Sequence, residues 1–195
     1  MNTILLVYGT TEGHTATVAD RMAEVLRAEN HDVTMKSLAQ EDVDAISDYD
    51  AVVIASSIHA GQPHATVKAF VQTHRDALNG RPTAYVQVSL STADPRPEKQ
   101  AEAQAYADQF LQEMKWTPTH IALFGGALPF TRYGFFKRRL MRALAKKPFG
   151  ITDTARDYDF TDWDQVKQFA GSFAADVKTA HAPGLSLRDR SLRDR

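Results

Sequence analysis

Val7–Thr15, VYGTTEGHT, carries the chain from an apolar strand into a helix through a loop of phosphate size. Upstream, Thr3–Tyr8 (TILLVY) is a short apolar run suited to a buried central strand. Downstream of Thr15, the apolar residues Val18, Met22, Val25 and Leu26 recur at i, i+4, i+7 and i+8, which predicts a helix. Gly9, Thr10, Thr11, Gly13 and Thr15 lie in the link, offering hydroxyls and free backbone N–H groups. A helix N-terminus behind such a loop favours an anion, because its first N–H groups lack intrahelical acceptors and its dipole is positive there. The loop contains no lysine or arginine, so neutral donors are expected to hold the anion. Both the Gly-Lys-Ser/Thr ending of a nucleotide P-loop and the GxGxxG spacing of a dinucleotide fold are missing. An ordinary strand-to-helix turn is the plain alternative.

Strand-like and helix-like segments alternate along the rest of the chain, which predicts a parallel sheet covered on both faces. Asp32–Lys36, Ala51–Ser57, Thr83–Leu90 and His120–Phe124 read as strands two to five. Ala65–Leu78, a segment beginning near Pro95-Arg96-Pro97, and Asp162–Val177 read as helices, the last capped by Thr161 or Asp162. The expected fold class is α/β, a doubly wound five-stranded parallel sheet of order 2-1-3-4-5 with a basic, partly helical insert after strand five. In that topology ligands sit at the carboxyl ends of strands one and three. Thr10–Thr15 and Ser56–Gln62 (SSIHAGQ) should therefore meet at one crevice.

The 195 residues suit one domain, expected over 1–180 with the insert at 126–160. In the tail, 181–195, SLRDR occurs twice without a core-forming pattern, and disorder is expected. Cysteine is absent, which excludes disulfides, thiolate metal sites and cysteine nucleophiles. The seven histidines show no ligand constellation, so no metal is expected. No apolar run is long enough to span a bilayer and the chain enters a strand at once, so a cytoplasmic location is expected.

A net charge of −1 conceals segregation. Residues 126–150, GALPFTRYGFFKRRLMRALAKKPFG, hold seven lysines and arginines and no acid, offsetting an acidic body before them. On a helical wheel Phe136, Leu140, Met141 and Leu144 share an arc, with Arg138, Arg139, Arg142 and Lys146 opposite and Lys137 and Lys147 intruding. Such a helix can lie in a bilayer interface, bind an apolar substrate bearing carboxylates, or simply pack its apolar face on the domain. No nucleic-acid motif is present, and no nucleic-acid partner is expected.

GTTEGHT, SSIHAGQ and Ser89-Leu90-Ser91-Thr92 resemble the three flavin loops of the flavodoxin superfamily. The resemblance implies FMN, with its phosphate held by Thr10, Thr11, Glu12 (through its backbone), Gly13, His14 and Thr15. Ser57, Ile58, His59 and Gly61 would border the ring on one side, and Ser89, Leu90 and Ser91 on the other. The Glu12 carboxylate is expected to face solvent, since it would repel a phosphate. Neither ring loop contains an aromatic residue, so the ring is either open to a flat substrate or covered from elsewhere, by Phe130 or Tyr133.

The insert narrows the resemblance. Gly126-Ala127-Leu128, Arg132-Tyr133, Gly150–Thr154 and Phe160–Trp163 are similar to segments of the flavodoxin-like, quinone-dependent protoporphyrinogen oxidases, with Pro129 departing from the pattern. That family implies FMN-dependent oxidation of protoporphyrinogen IX, a menaquinone or ubiquinone acceptor, and peripheral contact with the cytoplasmic face of the inner membrane. Arg132, Tyr133, Arg138, Arg139 and Arg142 become candidate substrate or membrane contacts. No catalytic acid or base is assigned; His59 and His64 are the candidates, each read first as a structural hydrogen-bond partner. The alternatives are an NAD(P)H-dependent quinone reductase, a flavodoxin-type electron carrier and a flavin-free membrane adaptor. Homo-oligomerisation is left open.

Overall fold

A computed structural model describes residues 1–43 and 45–180, so the SLRDR tail expected to be disordered lies outside the described residues. The chain runs β1 (Thr3–Gly9), α1 (His14–Ala28), β2 (Asp32–Ser37), β3 (Ala51–His59), β4 (Gln62–Pro63), α2 (Ala65–Asn79) and β5 (Thr83–Ser89). It continues through α3 (Leu90–Ala93), α4 (Pro97–Met114), β6 (His120–Gly125), β7 (Ala127–Leu128), α5 (Phe135–Phe149), β8 (Tyr158–Asp159) and α6 (Trp163–Ala180). The five long strands are parallel in the order β2-β1-β3-β5-β6. This is the expected flavodoxin-like order once the two-residue β4, antiparallel to the end of β3, is set aside.

Alternation along each strand builds two cores. Ile4 and Leu6 of β1 face Val18, Met22 and Leu26 of α1 and Phe173 and Val177 of α6. Leu5 and Val7 face Val67 and Val71 of α2 and Phe110 and Met114 of α4. All four β1 side chains are fully buried, and truncating either Leu to Ala would cost about 2–5 kcal/mol. The register pairs Gly9 with Ser56, Ser57 with Val88, and Ser89 with Gly125. The carboxyl ends of β1, β3, β5 and β6 therefore lie level, and the segments that follow them emerge on one edge.

Two of those segments differ from expectation. Ser56–Gln62 is largely strand, not loop: β3 runs on to His59 and folds back as β4 through Ala60 (φ 48°) and Gly61 (φ 75°). Ser89–Thr92 opens a short helix, with the Ser89 hydroxyl accepting the Thr92 N–H at 3.1 Å. Asp162 does cap α6, its Oδ1 accepting from Asp164 and Gln165 N–H at 3.1 and 3.0 Å.

The insert has its own small core of Leu128, Phe130, Tyr133, Ala145 and Ile151, with Met141, Phe149, Tyr158 and Phe160 packed on it. Its two ends are paired antiparallel, Ala127 with Asp159 and Leu128 with Tyr158. The arc of α5 expected to form a single apolar face is split. Met141 packs inward beside buried Ala145, but Phe136, Leu140 and Leu144 are 86%, 59% and 59% exposed. Polar anchors set this rotation: Arg138 Nε donates to the Phe130 carbonyl at 3.0 Å and Lys137 Nζ reaches Glu12 at 2.6 Å.

Candidate active site

A cavity of about 420 Å³ opens where those segments converge, within the usual range for small-molecule sites. Eleven of the thirteen residues expected to bind the cofactor line it: Thr10, Glu12, His14, Thr15, Ser57, Ile58, His59, Gly61, Ser89, Leu90 and Ser91. Gly13 lines an adjoining hollow instead, and Thr11 lines neither. Gly126 and Ala127 close the β6 side, while Tyr133, Lys137 and Met141 of the insert complete the wall.

The phosphate-type loop is shaped by Thr10, whose hydroxyl accepts the Gly13 N–H at 3.0 Å. Gly13 caps α1 at φ 91°, a conformation that disfavours a side chain. With the Gly13 N–H taken by Thr10 and the Ala16 N–H by the Gly13 carbonyl at 3.1 Å, the His14 and Thr15 N–H groups are the first-turn donors left for an anion. Although the loop has no cation of its own, the fold brings one: Arg132 Nη1 lies 3.5 Å from where a Cβ on Gly13 would sit.

Glu12 overturns the expectation of a solvent-facing carboxylate. Its side chain is 19% exposed; Oε2 accepts the Tyr133 hydroxyl at 2.5 Å and Oε1 accepts Lys137 Nζ at 2.6 Å. Burial, together with the Glu12 carboxylate, pushes the Tyr133 phenol well above its ordinary range, so it stays protonated and donating. Lys137 also lies over the Tyr133 ring, 4.6 Å from its centroid. A charge that would repel an anion is thus neutralised from the insert.

His14 leans away from the loop towards the insert's far end. Its Nε2 lies 2.6 Å from Thr161 Oγ1 and 3.4 Å from Asp159 Oδ1. The Thr161 hydroxyl donates to the Gly125 carbonyl at 2.8 Å, so His14 Nε2 carries the proton in this contact. Burial lowers the His14 pKa from its ordinary value, and Asp159 opposes that shift.

Of the two candidate acid–base histidines, His64 is structural: its Nδ1 lies 2.8 Å from Thr66 Oγ1 at the start of α2, and it does not line the cavity. His59 is exposed at the cavity, its Nδ1 3.0 Å from the Ile58 carbonyl and its Nε2 3.9 Å from Glu12. Among the candidate contacts of the insert, Tyr133 lines the cavity and Arg132 borders the phosphate-type loop. Arg138 is consumed in holding α5, whereas Arg139 and Arg142 are exposed and lie away from the cavity.

Tyr106 and Glu102 of α4 also line the cavity, hydrogen-bonded to each other. Tyr106 lies so near Gly61 that a Cβ there would meet its ring at 2.8 Å. Tyr106 stands at i with Phe110 and Met114 at i+4 and i+8, a helical stripe that by sequence alone reads as core; its hydroxyl is the signal of a more polar setting. Tyr106 and Tyr133 bring aromatic rings to the cavity wall, while Phe130 is buried in the insert core. Ser57 Oγ is buried without a hydrogen-bond partner, an unmet polar atom in the cavity wall that a ligand's heteroatom would satisfy. First-turn helix N–H groups, hydroxyls, close-approach glycines and this orphan together fit a flat ring system carrying a phosphate.

Comparison with known proteins agrees with that geometry. The flavodoxin domain family matches residues 5–155. A Leishmania major protein named protoporphyrinogen IX dehydrogenase (quinone) is 34% identical over 173 residues, covering 88% of this chain and 74% of its own. The protein of the same name from Escherichia coli strain K12 is 32% identical over 171 residues, covering 87% and 93%. An archaeal flavodoxin structure superposes with a TM-score of 0.54 at 19% identity, covering 90% of this chain and 99% of that one, a similarity of fold alone.

Proposed function

Because this chain belongs to the flavodoxin-domain family of quinone-linked protoporphyrinogen IX dehydrogenases, we propose that it oxidises protoporphyrinogen IX to protoporphyrin IX through FMN and a quinone acceptor. The observation that carries this reading is the contact of Glu12 with Tyr133 and Lys137, through which the basic insert becomes a wall of the flavin cavity. The fold fits the cofactor, and the insert supplies a surface beside it for a further reactant.

FMN supplies the two-electron redox chemistry, and aromatising the porphyrinogen, which loses six electrons, takes three such rounds. The chain's own groups bind and orient. Thr10, Thr15 and the His14 and Thr15 N–H groups would hold the phosphate, with Arg132 adding charge. Ser57, Ile58 and His59 would border the ring on one side and Ser89–Ser91 on the other, with Tyr106 and Tyr133 in the same cavity wall. Lys137 and the Tyr133 hydroxyl keep the Glu12 charge from opposing the phosphate.

Peripheral contact with a membrane is part of the proposal. No helix among the described residues is long and apolar enough to cross a bilayer. Phe136, Leu140 and Leu144 instead offer an exposed apolar strip on α5, flanked by Arg139, Arg142 and Lys146. Such a helix suits an anionic lipid interface, at about 1 kcal/mol per nearby cation.

The test is porphyrin fluorescence from protoporphyrinogen IX under anaerobic conditions, with FMN-reconstituted protein and a menaquinone. Growth requiring both protein and quinone is expected. Bound FMN without growth would overturn the reading and favour NAD(P)H-driven quinone reduction.

A further inference from the structure

A second cavity, of about 270 Å³, lies between α5 and the α3–α4 segment. It shares Leu90, Ser91 and Met141 with the flavin cavity, so the two chambers adjoin at these residues. The remaining lining is mostly apolar, from Leu128 and Ala145 inside to Leu144, Pro148 and Phe149. Leu144 belongs also to the exposed strip with Leu140 and Phe136, so the apolar lining continues onto the outer face of α5.

The charges here are spoken for. Arg96 makes a two-pronged contact with buried Asp94, Nε to Oδ1 at 2.9 Å and Nη2 to Oδ2 at 2.6 Å. Lys99 is paired with Glu102. Paired cations leave little net field for a dicarboxylate, but their N–H groups still provide donors at the edge of an apolar chamber. A neutral, flat ligand with carbonyl acceptors and an apolar tail fits this chemistry; a dianionic tetrapyrrole does not.

We propose that this second cavity is the quinone site: the ring enters between Leu144, Met141 and Phe149, beside the flavin chamber, and the isoprenoid tail leaves over Leu140 and Phe136. The assignment rests on the dehydrogenase reading above and adds to it a chamber for the electron acceptor separate from that of the porphyrinogen. Each quinone takes two electrons and two protons and departs as the quinol. Three quinones thereby accept the six electrons and six protons that leave one porphyrinogen ring.

Leu144→Glu tests the assignment, because the side chain is more than half exposed and its change leaves the insert core intact. Tailless menadione serves as the quinone in solution, so that membrane access plays no part. Two readouts are compared between wild type and variant, both FMN-loaded: menadione binding by calorimetry, and the separate KM values for menadione and protoporphyrinogen IX. The expected result is at least a tenfold loss of menadione binding and a similar rise in its KM, with the porphyrinogen KM within twofold. If the variant sheds FMN, Leu144→Gln is measured in its place. A raised porphyrinogen KM with the menadione values unmoved would assign the chamber to the tetrapyrrole and overturn the proposal. Unmoved values for both would overturn it equally. Failure of the parent reading is seen separately, as wild-type protein that holds FMN yet forms no porphyrin with any quinone.

Discussion

The Tyr133 hydroxyl lies 2.5 Å from Oε2 of Glu12, joining the insert to the phosphate-type loop across 121 residues of sequence. Hydrogen bonds to charged groups contribute about 1.5–3 kcal/mol when the partner is shielded from water, and this carboxylate is largely shielded. Tyr133→Phe is expected to destabilise the protein by about 1–2 kcal/mol in urea denaturation. In a double-mutant cycle with Glu12→Gln, a coupling of about 1 kcal/mol is expected. Strictly additive effects would show that the contact holds nothing together.

Gly13 and Gly171 should respond oppositely to the same substitution. Gly13→Ala forces a side chain into φ 91° at an expected cost of about 1–2 kcal/mol, with weaker retention of FMN on gel filtration. Gly171 sits inside α6 with open space around it, so Gly171→Ala should stabilise by up to about 1 kcal/mol. A Gly13→Ala protein that melts and binds FMN as wild type does would contradict the loop geometry.

His14 predicts a pH dependence of definite sign. Its folded pKa lies below the ordinary value of 6.5, so the unfolded chain takes up a proton more readily than the native protein. Stability from this group is fully present above pH 6.5 and is lost as the pH falls from there through the folded value. Urea midpoints between pH 7.5 and 5 should fall more steeply for wild type than for His14→Asn. Identical slopes, or an NMR titration of His14 above 6.5, would refute the assignment.

The exposed strip of α5 gives two separable contributions to vesicle binding. Phe136→Ser removes an aromatic ring whose burial is worth about 1.5–3 kcal/mol, so partitioning to phosphatidylglycerol vesicles should drop at least tenfold. Arg139→Gln and Arg142→Gln should each weaken it about fivefold at low salt and less at high salt. Co-sedimentation distinguishes these outcomes; wild-type protein left in the supernatant would remove the membrane contact from the proposal.

The fold was legible because the central strands are continuous apolar runs and the helices repeat every third or fourth residue. Periodicity cannot report what a distant segment does. Ser56–Gln62 looked like a loop because its small and polar residues hide the pairing of Ile58 with Pro63 and His59 with Gln62. Beside a phosphate Glu12 belongs outside, and the groups that neutralise it come from α5 and the turn before it, far along the chain. The helical wheel identified the amphipathic character of α5 correctly but not its rotation, which Arg138 and Lys137 set by polar contacts. Tyr106 is hidden in the sequence because a tyrosine in an apolar stripe reads as core.

The pairing of Ala127–Leu128 with Tyr158–Asp159 makes the insert leave and re-enter the sheet's edge at one point. Segments joined at such a neck are interchangeable cassettes: lengthening or trimming what lies beyond alters loop closure by only about 0.6 kcal/mol per doubling. A flavin scaffold built this way can acquire a new reactant at small cost to its own folding, since the graft is rooted in two short strands and reaches back to the host through Glu12 and His14.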